Sequence, residues 1–173
     1  MLNSYLADIK NVVKSAPILD LASGSGRNGL YLVKNDLSVI FSDIRHEALE
    51  ETKENIASNK KHLAHFWQVD FEQDTNELKD KHFSGVLVFR YLHRPLFENI
   101  KNAILPGGFI IYETFTLGNE KYGRPKNPDF LLAKGELIEQ FKGWQILHQF
   151  EGIIEVNGNK QAIAQIVAIK PEI

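Results

Sequence analysis

The fold of this chain is decided by residues 17–35, which read Pro17-Ile18-Leu19-Asp20-Leu21-Ala22-Ser23-Gly24-Ser25-Gly26-Arg27-Asn28-Gly29-Leu30-Tyr31-Leu32-Val33-Lys34-Asn35. The short apolar run at residues 18–22 predicts a buried parallel strand. A glycine-rich turn follows it, and the apolar residues Leu30, Leu32 and Val33 then indicate an amphipathic helix. A strand, a glycine turn and a helix in this order are the first half of a nucleotide-binding α/β unit.

The turn fits two ligand-binding patterns. Gly24-x-Gly26-x-x-Gly29 matches the dinucleotide pattern G-x-G-x-x-G, which is weak evidence by itself. Asp20 with Gly24 and Gly26 matches the pattern of S-adenosylmethionine (SAM) methyltransferases, which place an acidic residue on the strand. Because a carboxylate repels a pyrophosphate but attracts the ammonium group of SAM, Asp20 favours SAM over NAD.

Composition limits the remaining possibilities. The 173 residues suit one domain covering 1–173, and the 43% of hydrophobic residues suffice for a normal core. The formal net charge of −2 makes nucleic acid an unlikely partner. The chain contains no cysteine, which excludes disulfides and thiol nucleophiles. Residues 1–16 lack a secretion signal, and no run approaches the roughly 20 apolar residues of a membrane span, so we expect a soluble cytoplasmic protein without membrane contact.

The rest of the chain alternates between predicted strands and helices. Strands are predicted at residues 38–42, 63–69, 83–89, 109–114, 145–151 and 161–169. Helices are predicted at residues 2–14, 46–58, 94–103 and 131–141, with a helical turn at 75–80, a turn at 106–108 and a long loop at 115–130. The loop is interpreted either as a lid over a cleft or as a rigid surface loop.

This alternation predicts an α/β protein with a parallel sheet and helices on both faces. The turn Asn157-Gly158-Asn159 joins the last two strands so closely that they must be antiparallel. The predicted architecture is therefore a Rossmann-like, seven-stranded, mostly parallel sheet whose last strand is antiparallel.

The chain resembles class I SAM-dependent methyltransferases along nearly its whole length. Gly24-Ser25-Gly26-Arg27-Asn28 is similar to the turn of the tellurite-resistance and thiopurine branch. A small bacterial group of largely uncharacterised methyltransferases is similar in three further segments, namely Arg90-Tyr91-Leu92-His93-Arg94-Pro95, Tyr112-Glu113-Thr114-Phe115 and Gly123-Arg124-Pro125-x-Asn127-Pro128-Asp129-Phe130.

Acidic residues follow or end three successive predicted strands, and ligands of open α/β sheets bind at such strand ends. Asp43 is expected to accept hydrogen bonds from ribose hydroxyls, although it could instead cap the next helix. Asp20 could merely cap a turn, and Asp70 could be an exposed loop acid. The resemblance implies that Asp70 accepts from the exocyclic amine of adenine, with Phe71 beside it.

Further residues complete the predicted cofactor site. Ile44 is a candidate to pack on an adenine face, and Phe89 and Arg90 are expected at the methionine and sulfonium end. The predicted cofactor-binding residues are Asp20, Ala22, Gly24, Ser25, Gly26, Asn28, Asp43, Ile44, Asp70, Phe71, Phe89 and Arg90.

The predicted acceptor site lies after the fourth and fifth strands. Methyl transfer from a sulfonium is an in-line displacement, so the protein mainly positions the acceptor and excludes water. A general base is needed only if the acceptor loses a proton. The candidates for accepting a proton are His93, Glu113 and Tyr112, and Arg94 and Arg124 are candidates for orientation. Alternatively, His93 simply begins a helix, and Glu113 pairs with Arg90 or Arg124.

These patterns favour a methyltransferase that uses SAM, releases S-adenosylhomocysteine (SAH) and acts on a small-molecule acceptor. Alternatives are a methyltransferase for RNA or protein and a SAM-binding protein without catalysis. An NAD-dependent oxidoreductase is a further alternative, but it needs a substrate domain that the chain is too short to hold. The scattered histidines lack ligand spacing, so no metal site is predicted.

Overall fold

The computed structural model describes residues 1–13 and 15–172, and one seven-stranded sheet organises them. The strands are β1 (Ile18–Leu21), β2 (Val39–Asp43), β3 (Ala64–Gln68), β4 (Phe83–Phe89), β5 (Ile104–Phe115), β6 (Gln145–Val156) and β7 (Asn159–Ile169). Their order in the sheet is β3-β2-β1-β4-β5-β7-β6. β1 to β5 are parallel, and β7 runs antiparallel between β5 and β6. The predicted fold class is confirmed.

Helices cover both faces of the sheet. They are α1 (Leu6–Val12), α2 (Arg27–Lys34), α3 (His46–Glu54), α4 (Phe97–Ala103) and α5 (Glu136–Gln140). One apolar core holds residues of α1, α2 and α3, and a second core on the other face holds residues of α4 and α5. Because both faces are covered, β1 and the first six residues of β4 are buried at every position, as their continuous apolar sequences predict.

The helix predicted at 131–141 is wrong in its first part. Leu132 pairs in parallel with Thr116, directly after β5: its N–H donates to the carbonyl of Phe115, and its carbonyl accepts from the N–H of Leu117. Gly135 then adopts a left-handed φ of 73° and α5 begins at Glu136. Backbone pairing to β5 therefore prevails over the helical periodicity of this segment.

The turn predicted at 106–108 lies inside β5 rather than before it. Gly107 has a φ of 73°, and the pairing of β4 with β5 shifts register between Phe83 and Gly85. The backbone N–H of Gly107 donates to Lys170 at the end of the hairpin. β5 therefore continues through the two glycines with a local irregularity in its pairing. Its carboxyl end lies at the same edge of the sheet as those of β1, β2, β3 and β4.

Candidate functional site

The glycine turn begins where β1 ends and closes with a series of left-handed residues. Ala22, Gly24 and Gly26 have φ values of 53°, 55° and 70°. The N–H of Gly26 donates to the carbonyl of Ser23 at 2.9 Å, which tightens the turn. A Cβ at Gly26 would lie 2.4 Å from the Thr52 side chain, so glycine is also required for packing against α3.

Asp20 lies beneath this turn and is only 2% exposed. Its Oδ2 accepts a hydrogen bond from the backbone N–H of Gly29 in the first turn of α2, at 2.9 Å. Burial raises the pKa of the Asp20 carboxyl to about 7; the bond from Gly29 opposes this shift, and the charge of Asp43 adds to it. Asp20 therefore binds the first turn of α2 from beneath the glycine turn, and its role toward a ligand stays a prediction.

Asp43, at the end of β2, connects the glycine turn to the start of α3. Its Oδ2 accepts from the N–H of Gly24 at 2.8 Å. Its Oδ1 accepts from the backbone N–H of Arg45 at 2.9 Å and from Arg45 Nε at 3.3 Å. A carboxylate offers about four acceptor positions. These three hydrogen bonds leave about one position for a ligand hydroxyl, so capping and ligand binding are compatible.

A cleft of about 310 Å³ opens at the ends of β2 and β3. Its lining residues are Ala22, Asp43, Ile44, Arg45, Val69, Asp70, Phe71, Glu72 and Tyr91. The structure thus brings five of the predicted cofactor residues together: Ala22, Asp43, Ile44, Asp70 and Phe71. Arg45 and Glu72 were not predicted, and the only sequence signal for them is that each lies two positions after an aspartate.

The walls of the cleft combine apolar surface with free acceptor capacity. Ile44 is 56% exposed and offers apolar surface to the cleft that it lines. Phe71 is buried edge-on against Trp67, with ring centroids 5.4 Å apart. Asp70 Oδ1 accepts from the N–H groups of Glu72 and Gln73. No group in the described part of the chain donates to Asp70 Oδ2.

Two other polar groups bear on ligand binding, namely Ser23, which follows the lining residue Ala22, and Tyr91, which lines the cleft itself. The Oγ atom of Ser23 is buried and has no hydrogen-bond partner among the described residues. Sequence analysis missed this serine because its only sequence signal is its place inside the turn. Burial, together with the charges of Glu72 and Asp70, raises the pKa of the Tyr91 hydroxyl, so Tyr91 stays a hydrogen-bond donor at neutral pH.

Arg90 follows β4 in a left-handed conformation with a φ of 59°, which is unfavourable for a residue with a Cβ. Its Nη2 atom lies 2.9 Å from Glu113 Oε1, and its guanidinium carbon lies 4.5 Å from the centre of the Phe115 ring. Burial lowers the pKa of the Arg90 guanidinium, Glu113 opposes the shift and Arg27 adds to it. Glu113 therefore pairs with Arg90, as the alternative interpretation held, and is not a free base.

Two predicted acceptor residues lie elsewhere. Tyr112 is 1% exposed and packs in the core against Phe97, with its hydroxyl donating to the carbonyl of Tyr91. Arg94 forms a bidentate pair with Glu136, at 2.6 and 2.9 Å, and also donates to the carbonyls of Asp129 and Leu131. The predictions that Tyr112 and Arg94 face the methyl group are wrong, because the first belongs to the core and the second clamps a loop.

The remaining predicted residues do not line the cleft. His93 is half-buried and precedes a short 3-10 helix at Arg94–Leu96. Arg124 is exposed, and Phe89 is half-buried at the end of β4. Ser25 is exposed and Asn28 half-buried at the start of α2. Their roles stay predictions.

The described residues contain neither a metal-binding cluster nor a membrane-spanning helix. Across residues 1–13 and 15–172, no group of three or more histidine, aspartate or glutamate side chains is arranged to hold a metal ion. No helix in the same part of the chain has the length and hydrophobicity needed to cross a membrane.

Comparison with known proteins agrees with this geometry. A curated relative from Haemophilus influenzae, named probable S-adenosyl-L-methionine-dependent methyltransferase TehB, is 25% identical over 167 residues. The alignment covers 90% of this chain and 57% of the relative, so the chain spans little more than half of that protein.

Solved structures share the fold. The crystal structure of TehB from Haemophilus influenzae superposes with a TM-score of 0.77 at 21% identity, covering 96% of this chain and 62% of that one. The N-methyltransferase NodS from Bradyrhizobium japonicum has a TM-score of 0.71 at 11% identity, covering 99% and 94%. The glycopeptide N-methyltransferase MtfA, complexed with SAH, has a TM-score of 0.67 at 14% identity, covering 98% and 88%.

The predicted resemblance to SAM-dependent methyltransferases, near the tellurite-resistance branch, is confirmed by these relatives. The model of the family described as tellurite resistance protein TehB matches residues 2–167. The chain therefore belongs to the TehB family.

Proposed function

We propose that the cleft binds SAM and that the protein transfers the methyl group to a small-molecule acceptor, releasing SAH. The observation that carries this proposal is Asp43, which fixes the glycine turn and still has acceptor capacity facing the 310 Å³ cleft. The unpartnered hydroxyl of Ser23 supports it, because buried polar atoms normally have a partner.

Each wall of the cleft suits one part of this ligand. Asp43 is proposed to hold one ribose hydroxyl and Asp70 Oδ2 the adenine amine. Ile44 and Phe71 offer apolar surface to the adenine ring. The negative charge of Asp20 under the turn favours the ammonium group of the methionine portion. These assignments keep the roles expected from the sequence, and they rely on the acceptor positions that Asp43 and Asp70 have open.

When bound, SAM supplies a methyl group that is already activated, so the protein has to orient the acceptor and exclude water. We assign orientation to Arg90, whose guanidinium lies at the end of β4, and to the exposed Arg124. Since Glu113 is engaged by Arg90, His93 is the proposed proton acceptor for acceptors that lose a proton.

The family description and the relatives suggest which acceptors to test first. The family is described by tellurite resistance, and two structural neighbours are named N-methyltransferases. We propose tellurite, an oxyanion, as the first acceptor to test because the guanidinium groups of Arg90 and Arg124 offer N–H donors to its oxygens. A single domain and a cytoplasmic location are part of the proposal.

Calorimetry and turnover test this function together. SAM and SAH are expected to bind, and NAD to bind far more weakly. SAH should then accumulate from SAM only when tellurite or another small acceptor is added. Preferential binding of NAD would overturn the cofactor assignment. Tight SAH binding with no turnover on any small acceptor would instead favour a SAM-binding protein without catalysis.

A further inference from the structure

A chain of hydrogen bonds runs from Arg90 across the sheet to its edge strand. Glu113, on β5, binds Arg90 through Oε1 and accepts from Gln165 Nε2, on β7, through Oε2 at 2.5 Å. Gln165 Oε1 in turn lies 3.0 Å from His148 Nε2, on β6. The ring of His148 packs against Tyr5, with centroids 5.8 Å apart. None of the predictions made from sequence included Gln165 or His148.

The donor and acceptor groups of these side chains fix the direction of each hydrogen bond. Glu113 is 9% exposed, and its two carboxylate oxygens can only accept from Arg90 and Gln165 when it is ionised. The amide nitrogen of Gln165 must therefore face Glu113, and its oxygen must face His148. It follows that His148 donates from Nε2, which selects one tautomer or the protonated ring.

The series of hydrogen bonds ends at Arg90, whose backbone conformation is unfavourable by itself. Arg90 has a φ of 59°, and such conformations persist only where the surroundings determine them strongly. Its backbone N–H donates to the carbonyl of Glu113, its guanidinium pairs with the Glu113 side chain, and Phe115 lies under the guanidinium. The same glutamate thus holds both the backbone and the side chain of Arg90.

We propose that Gln165 and His148 are positioning residues for the methyl acceptor, because they hold Glu113 and so fix the guanidinium of Arg90 over Phe115, next to Tyr91, which lines the cleft. This inference rests on the proposed function in placing the acceptor beside Arg90. Arg90 contacts the acceptor, whereas Gln165 and His148 act only through Glu113 and Arg90.

The first test reads the Arg90 guanidinium directly and needs no acceptor. In ¹⁵N-labelled protein, the Arg90 Nε–Hε signal is assigned by its loss in Arg90→Lys. Gln165→Leu and His148→Leu should shift and broaden this signal and speed the rotation of the guanidinium. His148→Gln should keep the wild-type signal, because its amide can donate to Gln165.

Gln149→Leu is the matched control for this test. Gln149 is the neighbour of His148 on β6 and pairs with Ile166, on the opposite face of the sheet from Gln165. This variant should leave the Arg90 signal unchanged. An Arg90 signal that stays at its wild-type position in Gln165→Leu and His148→Leu would overturn the proposal.

The second test uses SAM with tellurite as the probe acceptor. Gln165→Leu should raise KM for tellurite by about three- to tenfold, the scale of one lost hydrogen bond, with SAH affinity unchanged. In an Arg90→Ala background, Gln165→Leu should have no further effect, because it acts through Arg90. Additive effects of the two substitutions would contradict the positioning role.

The two tests separate the two proposals. If the wild-type protein does not turn over tellurite, the proposed acceptor is wrong, and the Arg90 signal still decides whether Gln165 and His148 position the guanidinium. If turnover is normal while the Arg90 signal is the same in both variants as in the wild-type protein, the positioning role is wrong and the methyltransferase function stands.

Discussion

Asp43 accepts hydrogen bonds from the N–H groups of Gly24 and Arg45 while its carboxylate also lines the cleft. At the scale of single residues, a group that closes a turn and binds a ligand with the same oxygens links stability to affinity. Sequence analysis presented capping and ligand binding as alternatives. The geometry makes them compatible because a carboxylate can accept about four hydrogen bonds.

Asp43→Ala should therefore weaken SAH binding and also reduce stability. We expect a loss of binding free energy of about 1–3 kcal/mol, the scale of hydrogen bonds to a charged group. The free energy of unfolding should fall by about 1–2 kcal/mol, because two backbone donors lose their acceptor. Calorimetry and urea denaturation measure the two quantities.

The control for this substitution is Asp36→Ala, which removes an exposed carboxylate paired with Lys60. Its SAH affinity should equal that of the wild-type protein. If Asp43→Ala binds SAH normally while its stability falls, Asp43 serves only the turn.

Ala22 occupies a left-handed position, with a φ of 53°, where glycine would be relaxed. Ala22→Gly should relieve about 1–2 kcal/mol of backbone strain and lose about 0.5–1 kcal/mol to the entropy of the unfolded chain. We expect a small net stabilisation, measured by urea denaturation. Ala48→Gly, inside α3, should instead cost about 1 kcal/mol. Equal losses in both variants would show that Ala22 is unstrained.

At the scale of elements, Arg94 ties the segment before α5 to the start of the 3-10 helix at Arg94–Leu96. The pairing lowers the pKa of Glu136, whose carboxylate also accepts from the N–H of Ala133. One guanidinium thus holds residues 129–136 in place. This segment follows the 115–130 loop, which the clamp anchors at its carboxyl end.

Arg94→Ala should lower the free energy of unfolding by about 1–2 kcal/mol, a figure reduced for the partial exposure of the pair. Amide hydrogen exchange should speed up at residues 129–136. Arg94→Lys should rescue only part of the loss, because an ammonium cannot make the bidentate contact. Arg124→Ala, on an exposed arginine, is the control and should leave stability unchanged. Unaltered exchange in Arg94→Ala would show that the clamp is redundant.

The limits of sequence analysis also appear at this scale. The strands β1, β2 and β4 were predicted within a residue of their ends, because buried strands have continuous apolar sequences. The segment at 131–141 was mistaken for one helix, because pairing of Leu132 to β5 is a tertiary effect with no local signal. Tyr112 and Glu113 were assigned together to the cleft. Neighbouring residues of a strand point to opposite faces of the sheet, so at most one of these two side chains can face the cleft.

At the scale of the whole molecule, the strand order places the ends of β1, β2 and β3 side by side. The alternation of strands and helices predicts parallel strands whose carboxyl ends lie at one edge of the sheet, which is why the positions of Asp20, Asp43 and Asp70 were predictable. The depth of each carboxylate was not, because burial depends on how α2 and α3 pack. Asp20 is consequently the carboxylate whose titration is expected to change the free energy of unfolding.

The buried Asp20 carboxyl should make stability pH-dependent. Its pKa is about 7 in the folded protein, against 3.8 for an unperturbed aspartate. Between these values the folded state binds more protons, so this contribution to the free energy of unfolding falls as pH rises from about 4 to 7. Asp20→Asn keeps an acceptor for Gly29 without the charge. Its stability relative to wild type should rise by on the order of 3 kcal/mol between pH 4 and pH 8. A pH-independent difference would refute this assignment.

Retaining a destabilising charge under the turn is expected if the charge serves the ligand. If the ammonium group of SAM favours the ionised form of Asp20, binding must lower the pKa of that carboxyl, and by linkage the affinity for SAM must rise with pH. We expect the association constant of wild-type protein for SAM to increase several-fold from pH 6 to pH 7.5, across the pKa of about 7. Asp20→Asn should bind SAM more weakly at pH 7.5 and lose this dependence. Calorimetry at both pH values measures it, and parallel pH profiles for the two proteins would show that Asp20 serves α2 and not SAM.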